Sequence, residues 1–248
     1  MKNRVSLLSR VVRKTFLSSS WFLLEIQTTE ICPAPGQFFM LFPENYSGSA
    51  ILPRPISVYN TTDKSITFLI QVAGNTTRYF SKMLPGELIR ITGPLGNYFP
   101  RFENPWLVAG GVGLPPVDFY KRRYSGTLFA GFSSVNELKH SDILQNIDYI
   151  STMDSSSDFK GTVVDLVEMK LIETTTPPCG IIACGPHGML HSLHRLLLKH
   201  HIPLHVSLEG QMACGTGVCH GCAFKTTLGK YKNICSNGPV FPSNEVWK

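Results

Sequence analysis

Two patterns of hydrophobic and polar positions follow one another along the chain, and each predicts a different kind of sheet. Up to about Phe99, short apolar runs alternate with turn signals such as Pro35-Gly36 and Pro85-Gly86. Many short strands with regular turns are typical of an antiparallel barrel or sandwich. The predicted strands are Val5–Val12, Trp21–Gln27, Gln37–Phe42, Pro55–Tyr59, Ser65–Val72 and Glu87–Thr92.

From Trp106 onward, buried strands alternate with helices, which indicates a doubly wound parallel α/β sheet. The predicted strands are Leu107–Ala109, Leu128–Phe132, Tyr149–Thr152, Ile181–Ala183 and Leu204–Leu208. The predicted helices lie near Pro115–Lys121, Val135–Gln145, Thr162–Ile172 and His187–Lys199. We therefore expect a multi-domain β plus α/β protein with an antiparallel β-barrel at 1–100, an α/β domain at 101–209 and a small module at 210–248.

The composition is that of an ordinary globular chain, with 248 residues, 43% hydrophobic, 16% charged and a net charge of +6. The densest basic run, Lys121-Arg122-Arg123, would end a helix, where cations complement the dipole, so we expect no nucleic-acid binding. No apolar run approaches the roughly 18 residues that span a bilayer, so we expect no membrane association. Arg10, Arg13 and Lys14 interrupt any apolar signal region, and we expect strands there instead.

Four of the seven cysteines have the spacing C-x4-C-x2-C-x12-C, and they are Cys214, Cys219, Cys222 and Cys235. The first three match the run that holds a plant-type [2Fe–2S] cluster, and the fourth returns from a later loop. Glycines among them let backbone amides approach sulfur atoms. Structural zinc is the alternative, although zinc sites usually show two close pairs. An odd number of cysteines in a chain of this length argues against disulfides and favours a reducing, cytoplasmic compartment.

A glycine-rich turn, Ala109-Gly110-Gly111-Val112-Gly113, follows the first strand of the α/β region and precedes a helix at Pro115-Pro116. Such a turn lets backbone amides approach a pyrophosphate, although tight packing alone also explains it. A second loop, Cys184-Gly185-Pro186, ends the fourth strand at the same edge, where ligands bind in open α/β sheets. Cys184 would face a nicotinamide there, or it is a buried small hydrophobe.

In the barrel region, Arg54-Pro55-Ile56-Ser57 places a cation and a hydroxyl on one strand. Arginine suits a phosphate through its planar fork, and a serine hydroxyl can bond a flavin ring edge. Gly74-Asn75-Thr76-Thr77 then opens a predicted helix over Arg78–Met83, whose N-terminus would take a second phosphate.

Together these pieces resemble the ferredoxin–NADP reductase superfamily, and most closely the electron-transfer subunit of class 1B dihydroorotate dehydrogenase. The resemblance spans nearly the whole chain and rests on the order of the motifs, which are Pro35–Phe38, Arg54–Ser57, Gly93–Asn97, Gly110–Pro116, Ala183–Leu190 and Met212–Cys222. It implies an FAD-binding barrel, an NAD-binding domain and a terminal [2Fe–2S] module. The FAD contacts that it implies are Arg54, Pro55, Ile56, Ser57, Leu69, Ile70, Gln71, Thr76 and Thr77.

The chain departs from the family pattern in three places. Gly74-Asn75-Thr76-Thr77 stands where the family has G-x-G-T, which leaves less room for phosphate. Ile70-Gln71 replaces a common tyrosine-arginine pair and removes a cation. The acidic, glycine-containing loop expected before the third helix reads Met153–Asp158 here.

The resemblance implies that a partner subunit holding FMN oxidises dihydroorotate in pyrimidine biosynthesis, and that the two subunits form a heterotetramer. Electrons would pass through [2Fe–2S] and FAD of this chain to NAD⁺, and we expect no catalytic acid, base or nucleophile here. The alternatives are a reductase subunit for a hydrogenase, an oxygenase or a ferredoxin-coupled complex, or a non-catalytic assembly subunit that keeps a structural metal. The helical face His187, His191 and His194 resembles a zinc site, but we expect it to serve packing.

Overall fold

The structure, a computed structural model, describes residues 5–44, 52–139 and 141–248. Its N-terminal part contains β1 (Val5–Phe16), β2 (Trp21–Gln27), β3 (Phe38–Pro43), β4 (Arg54–Ser57), β5 (Asn60–Thr61), β6 (Ser65–Gln71), α1 (Asn75–Phe80) and β7 (Leu88–Leu95). The seven strands form one curled antiparallel sheet with the order β4-β3-β7-β1-β2-β6-β5. This half-barrel confirms the predicted fold class of the N-terminal part.

Alternation along the strands explains why this sheet curls around a core. Phe22, Leu24 and Ile26 of β2 are fully buried, whereas Glu25 between them is only partly buried. Because successive side chains of a strand point to opposite faces, this spacing places one apolar row inside the half-barrel. Phe39 of β3 and Phe68 of β6 meet in the same core, with ring centroids 5.8 Å apart.

The second part is a parallel sheet covered by helices on both faces, as the alternating pattern predicts. Its elements are β8 (Trp106–Gly110), α2 (Leu114–Tyr124), β9 (Thr127–Phe132), β10 (Tyr149–Thr152), β11 (Phe159–Lys160), α3 (Val163–Glu173), β12 (Ile181–Cys184), α4 (His187–Leu198) and β13 (Leu204–Ser207). Every residue of β8 and β12 is buried. Strands buried on both faces read as continuous apolar runs, which is the pattern in the sequence.

One predicted helix, Val135–Gln145, is wrong. Of this range the structure describes all but position 140, and it shows successive turns followed by a 3-10 helix over Asp142–Asn146. The backbone N–H of Val135 donates to Ser156 Oγ, and that of Ser141 donates to the Leu138 carbonyl in an i→i+3 turn. Backbone groups bonded to a distant side chain or closed into i→i+3 turns are not available for the i→i+4 bonds of an α-helix.

The C-terminal part contains β14 (Ala223–Lys225), β15 (Tyr231–Asn233), α5 (Ile234–Asn237), β16 (Val240–Pro242) and α6 (Ser243–Val246). β14 and β15 form a hairpin, whereas β16 pairs antiparallel with β13 and completes the order β11-β10-β9-β8-β12-β13-β16. The predicted third module, 210–248, thus lends a strand to the second sheet. Among the residues described, none of the helices has the length and apolar character that crossing a bilayer requires.

Candidate functional site

A cavity of about 270 Å³ lies where the three parts of the chain meet. The half-barrel contributes Phe38, Pro55, Ile56, Ser57, Leu69, Ile70, Gln71, Ala73 and Thr77. The α/β domain contributes Val112, Pro115, Cys184, Ser207, Leu208 and Glu209, and the C-terminal part contributes Gly210, Met212 and Pro239. Apolar walls with a few hydroxyl and amide groups suit a flat aromatic ring system with polar edges, such as the ring of a flavin.

Seven of the nine predicted FAD contacts line this cavity, namely Pro55, Ile56, Ser57, Leu69, Ile70, Gln71 and Thr77. The other two, Arg54 and Thr76, lie elsewhere. Arg54 is exposed at the start of β4, beside the cavity-lining residues of the same strand. Thr76 is 2% exposed within α1. Neither residue therefore forms part of the cavity wall.

The turn before α1 is ordered by Thr77. Its hydroxyl oxygen accepts from the backbone N–H groups of Ala73 at 2.9 Å and Gly74 at 3.0 Å, and the hydroxyl donates to the Gly74 carbonyl at 3.1 Å. Helix α1 begins at Asn75, earlier than the predicted Arg78. The Thr76 hydroxyl is buried and has no hydrogen-bond partner within the described residues. In place of the glycine expected from the family pattern, the chain therefore has a turn whose geometry depends on the Thr77 side chain.

A second, larger cleft of about 560 Å³ opens at the carboxyl edge of the parallel sheet. Gly110 and Gly111 of the glycine-rich turn line it, together with Pro186 and the N-terminal residues Thr162–Asp165 around the start of α3. Thr162 caps α3, since its hydroxyl accepts from the Asp165 N–H while the Asp165 carboxylate accepts from the Thr162 N–H. This is the position at which open α/β sheets bind nucleotides.

The two remaining glycines of the predicted nucleotide loops serve close packing. A Cβ atom on Gly113 would lie 2.2 Å from the Cys184 carbonyl oxygen. Gly185 has φ +157°, and a Cβ atom there would lie 2.7 Å from Met189 Cε. Both glycines therefore allow the two loops to touch each other between the flavin cavity and the nucleotide cleft.

Cys184 is buried at the wall shared by these loops and lines the flavin cavity. Burial, followed by the charge of Glu209, raises the pKa of the Cys184 thiol to about 12. The thiol is therefore neutral at physiological pH. Glu209 lines the same cavity, and burial of its carboxyl raises its pKa. Sequence reasoning missed Glu209 and Met212, because only the fold brings the chain after β13 back to the cavity.

The four predicted cluster cysteines lie in two pairs. The sulfur atoms of Cys222 and Cys235 are 3.3 Å apart in the interior, and the Cys235 N–H reaches Cys222 Sγ at 3.4 Å. Cys214 and Cys219 form the outer pair, in which the Cys219 N–H reaches Cys214 Sγ at 3.5 Å. Among the described residues, no group of three or more histidine, cysteine or acidic side chains is placed to hold a single ion. Two pairs of cysteine sulfur atoms suit the two irons of a [2Fe–2S] cluster.

The loop around these cysteines is built for sulfur ligands. Burial opposes ionisation of Cys214, but N–H groups of Cys219 and Thr216 outweigh it and lower the pKa of Cys214 to about 5. Gly215 has φ +68°, and a Cβ atom there would lie 2.6 Å from Met40 Cγ of the half-barrel. Only glycine therefore fits where the cluster loop rests on β3. The donor set and its backbone thus fit an iron–sulfur cluster.

A buried polar network joins the half-barrel to the α/β domain. Asp118 of α2 is fully buried, and its Oδ2 accepts from Arg122 Nε at 3.1 Å and Nη2 at 3.0 Å. Arg122 Nη2 also donates to the Tyr59 hydroxyl at 2.6 Å, and Asn146 Nδ2 donates to Asp118. Burial, then the charge of Asp118, raises the pKa of Tyr59. Tyr59 lies just after β4, so this network ties the strand of the flavin motif to the helix that follows the glycine-rich turn.

The histidine face of α4 packs against the C-terminal segment, as expected. Trp247 lies with its ring centroid 5.2 Å from that of His187 and 5.7 Å from those of His191 and His194. His194 Nδ1 lies 2.9 Å from Ser243 Oγ. The three histidines therefore anchor α6 and Trp247 to the α/β domain.

Fold and site together define a class of protein: an oxidoreductase that combines a flavin-type half-barrel, a nicotinamide-nucleotide domain and an iron–sulfur module. A family model described as the iron–sulfur cluster binding domain of dihydroorotate dehydrogenase B matches residues 209–247. Among solved structures, the chain is similar to an NADH-dependent reduced ferredoxin–NADP oxidoreductase, with a TM-score of 0.80, 25% identity and coverage of 100% of this chain and 91% of that one. A ferredoxin reductase of carbazole 1,9a-dioxygenase, 20% identical with a TM-score of 0.67, shares the fold over 82% of this chain and 68% of its own.

Curated relatives narrow the class to one family. The dihydroorotate dehydrogenase B (NAD(+)) electron transfer subunit of Caldanaerobacter subterraneus subsp. tengcongensis is 32% identical over 246 residues, which cover 96% of this chain and 97% of the relative. The protein of the same name from Clostridium acetobutylicum is 33% identical over 224 residues, or 86% of this chain and 85% of its own. The chain belongs to the family of dihydroorotate dehydrogenase B electron transfer subunits.

Proposed function

We propose that this chain carries electrons from a dihydroorotate-oxidising catalytic subunit, expected to hold FMN, to NAD⁺ in the cytoplasm. The observation that carries the proposal is the shared cavity. Its walls include the flavin-motif strand β4, Cys184 of the nucleotide loop, and Pro239, which follows Cys235 on the same short segment. One cavity therefore adjoins both the nucleotide domain and the predicted cluster.

When bound, a [2Fe–2S] cluster supplies single-electron transfer, and FAD converts between single electrons and hydride. The residues of this chain position and tune these groups. Phe38, Ile56 and Leu69 offer an apolar slot for a flavin ring, and Ser57 and Gln71 offer polar groups at its edge. Cys184 closes the slot on the nucleotide side with a neutral thiol, which avoids placing a nucleophilic thiolate beside a nicotinamide.

The nucleotide cleft favours NAD⁺ over NADP⁺. Its lining contains Asp165 and several hydroxyl groups, and neither lysine nor arginine is among the described residues that form it. A 2′-phosphate is normally bound by cationic side chains, whereas a free ribose hydroxyl hydrogen-bonds to a carboxylate or hydroxyl. The carboxylate of Asp165 would repel a phosphate placed in the cleft.

Anaerobic purification with the catalytic subunit encoded in the same genome tests the proposal. The complex should show flavin and iron–sulfur absorption, and NADH should bleach both, with NADPH far slower. Dihydroorotate should bleach the same bands when the catalytic subunit is present and should not when this chain is alone. A chain that purifies with zinc and without flavin or acid-labile sulfide would contradict the proposal and indicate an assembly subunit.

A further inference from the structure

The segment that follows Cys235 connects the predicted cluster to the flavin cavity. Cys235 lies in α5, and Pro239 of the same segment lines the cavity. Val240 then begins β16, which pairs with β13 of the parallel sheet. The backbone from Cys235 to Val240 therefore determines where a cluster ligand lies relative to the cavity.

One side chain of the half-barrel domain, Asn97, holds this segment. Its Nδ2 donates to the carbonyl oxygen of Val240 at 2.7 Å and to that of Asn237 at 3.2 Å. Its Oδ1 accepts from the Val240 N–H at 2.9 Å, and its backbone N–H donates to the Gly238 carbonyl at 2.6 Å. Both donor and acceptor groups of the amide side chain are thus used on one short stretch of backbone.

The turn that presents Asn97 is itself braced. Gly96 has φ +75°, and a Cβ atom there would lie 2.4 Å from Pro239 Cδ, so the turn approaches the segment as closely as glycine allows. Gln37 Nε2 donates to the Gly96 carbonyl at 3.0 Å, while Gln37 Oε1 accepts from the Ala34 N–H at 2.9 Å. Two motifs of the half-barrel therefore support this one contact with the C-terminal part.

We propose that Asn97 is a positioning residue for electron transfer between the two cofactors. By fixing the backbone from Cys235 to Val240, it holds the cluster module at the separation from the flavin cavity that the transfer requires. The proposal rests on the proposed function, because it needs FAD and a cluster in the same chain. Asn97 does not line the cavity and is not a cluster ligand, so it acts through Pro239 and Cys235.

Asn97→Asp separates this role from general packing. The variant keeps an oxygen acceptor for the Val240 N–H, loses both side-chain N–H donations and places a negative charge beside two carbonyl oxygens. The matched control is Asn104→Asp, which makes the same change at an exposed residue with φ +46°, a conformation that aspartate tolerates. Asn97→Ser, which is shorter and uncharged, is the second variant at the site.

The holoprotein is mixed anaerobically with NADH, and the flavin and cluster absorption bands are followed in time. In Asn97→Asp, flavin reduction should stay at the wild-type rate while cluster reduction slows several-fold, because the rate of electron tunnelling falls steeply as the distance between two cofactors grows. Hydrogen exchange measured by mass spectrometry, which needs no turnover, should be faster over residues 237–242. Asn104→Asp should match wild type in all three measurements.

Cluster reduction at the wild-type rate in a folded Asn97→Asp or Asn97→Ser protein would overturn the proposal, as would equal slowing of both steps. If Asn97→Asp does not fold, Asn97→Ser decides the question by the same criteria. A wild-type protein that lacks FAD or the cluster would refute the proposed function and this inference with it. The failure of the inference alone is thus distinguishable from the failure of the function.

Discussion

Within the buried pair Asp118–Arg122, replacing Arg122 should destabilise the protein more than replacing Asp118. The Asp118 side chain is 1% exposed, whereas that of Arg122 is 36% exposed. Arg122→Met would leave the carboxylate in the interior with only the neutral donors Asn146 and Tyr59 beside it among the described residues. Asp118→Leu would leave a guanidinium that still bonds Tyr59 and can turn towards water.

The magnitudes follow from these surroundings. An uncompensated buried charge costs about 3–5 kcal/mol, which is the cost expected for Arg122→Met. Losing hydrogen bonds to a charged partner while the remaining charge stays hydrated costs about 1.5–3 kcal/mol, which is the cost expected for Asp118→Leu. The double variant should cost less than the sum of the two, with a coupling of about 2 kcal/mol, because the second substitution removes the group that the first one stranded.

Urea unfolding followed by circular dichroism measures these differences. The wild type, both single variants and the double variant are compared at one pH and salt concentration, and Lys170→Met, which removes a surface pair with Glu173, is the control. The control should leave the urea midpoint close to that of the wild type, because an exposed ion pair contributes little to stability. If Asp118→Leu costs more than Arg122→Met, or if the costs simply add, the burial argument for this network is refuted.

Three further outcomes are expected. Iodoacetamide at pH 8 should modify the exposed Cys32 and Cys179 of the folded protein and spare the buried Cys184 thiol, whose pKa is raised to about 12. Mass spectrometry of the peptides measures the modification of each cysteine, and rapid modification of Cys184 would contradict its burial. Burial, then the charge of His191, lowers the pKa of His194, so the unfolded chain binds this proton more tightly than the folded one and stability should fall as pH drops below about 6.5. His194→Asn, which keeps a hydrogen-bond partner for Ser243, should reduce this loss of stability at acid pH, as measured by thermal melts. The same pH dependence in wild type and variant would contradict the role of His194. Asp165→Asn should narrow the preference for NADH over NADPH by about tenfold in steady-state kinetics, and an unaltered preference would remove Asp165 from nucleotide selection.

Features that depend on local spacing could be predicted from the sequence. Strands Trp21–Gln27 and Tyr149–Thr152 have the predicted bounds, because alternation and apolar runs are properties of consecutive residues. The cysteine spacing likewise indicates the metal module, since three of the four predicted ligands share one loop. The helix predicted at Val135–Gln145 failed because side chains from a distant loop, such as Ser156, capture its backbone groups.

Contacts between distant parts of the chain could not be predicted. Asn97 bonds Val240, and Arg122 bonds Tyr59, across long separations that leave no periodic signal in the sequence. The Gly93–Asn97 motif was visible as part of the family resemblance, but its partner became evident only when the fold placed residues 237–240 beside it. The cavity shared by the three parts could not be predicted either. Glu209 lines it because the chain turns towards the cavity where β13 ends, and the sequence does not show this.

The central claim is that electrons pass through the cluster of this chain on their way from dihydroorotate to NAD⁺. The most direct test is NADH formation by the anaerobic complex with the catalytic subunit, measured for wild type and for Cys219→Ser, which changes an exposed predicted ligand without disturbing the interior. NADH-driven flavin reduction serves as the internal control for each protein. The account predicts that Cys219→Ser keeps flavin reduction by NADH and loses most dihydroorotate-driven NADH formation. NADH formation from dihydroorotate at the wild-type rate, in a variant shown to lack the cluster, would contradict it.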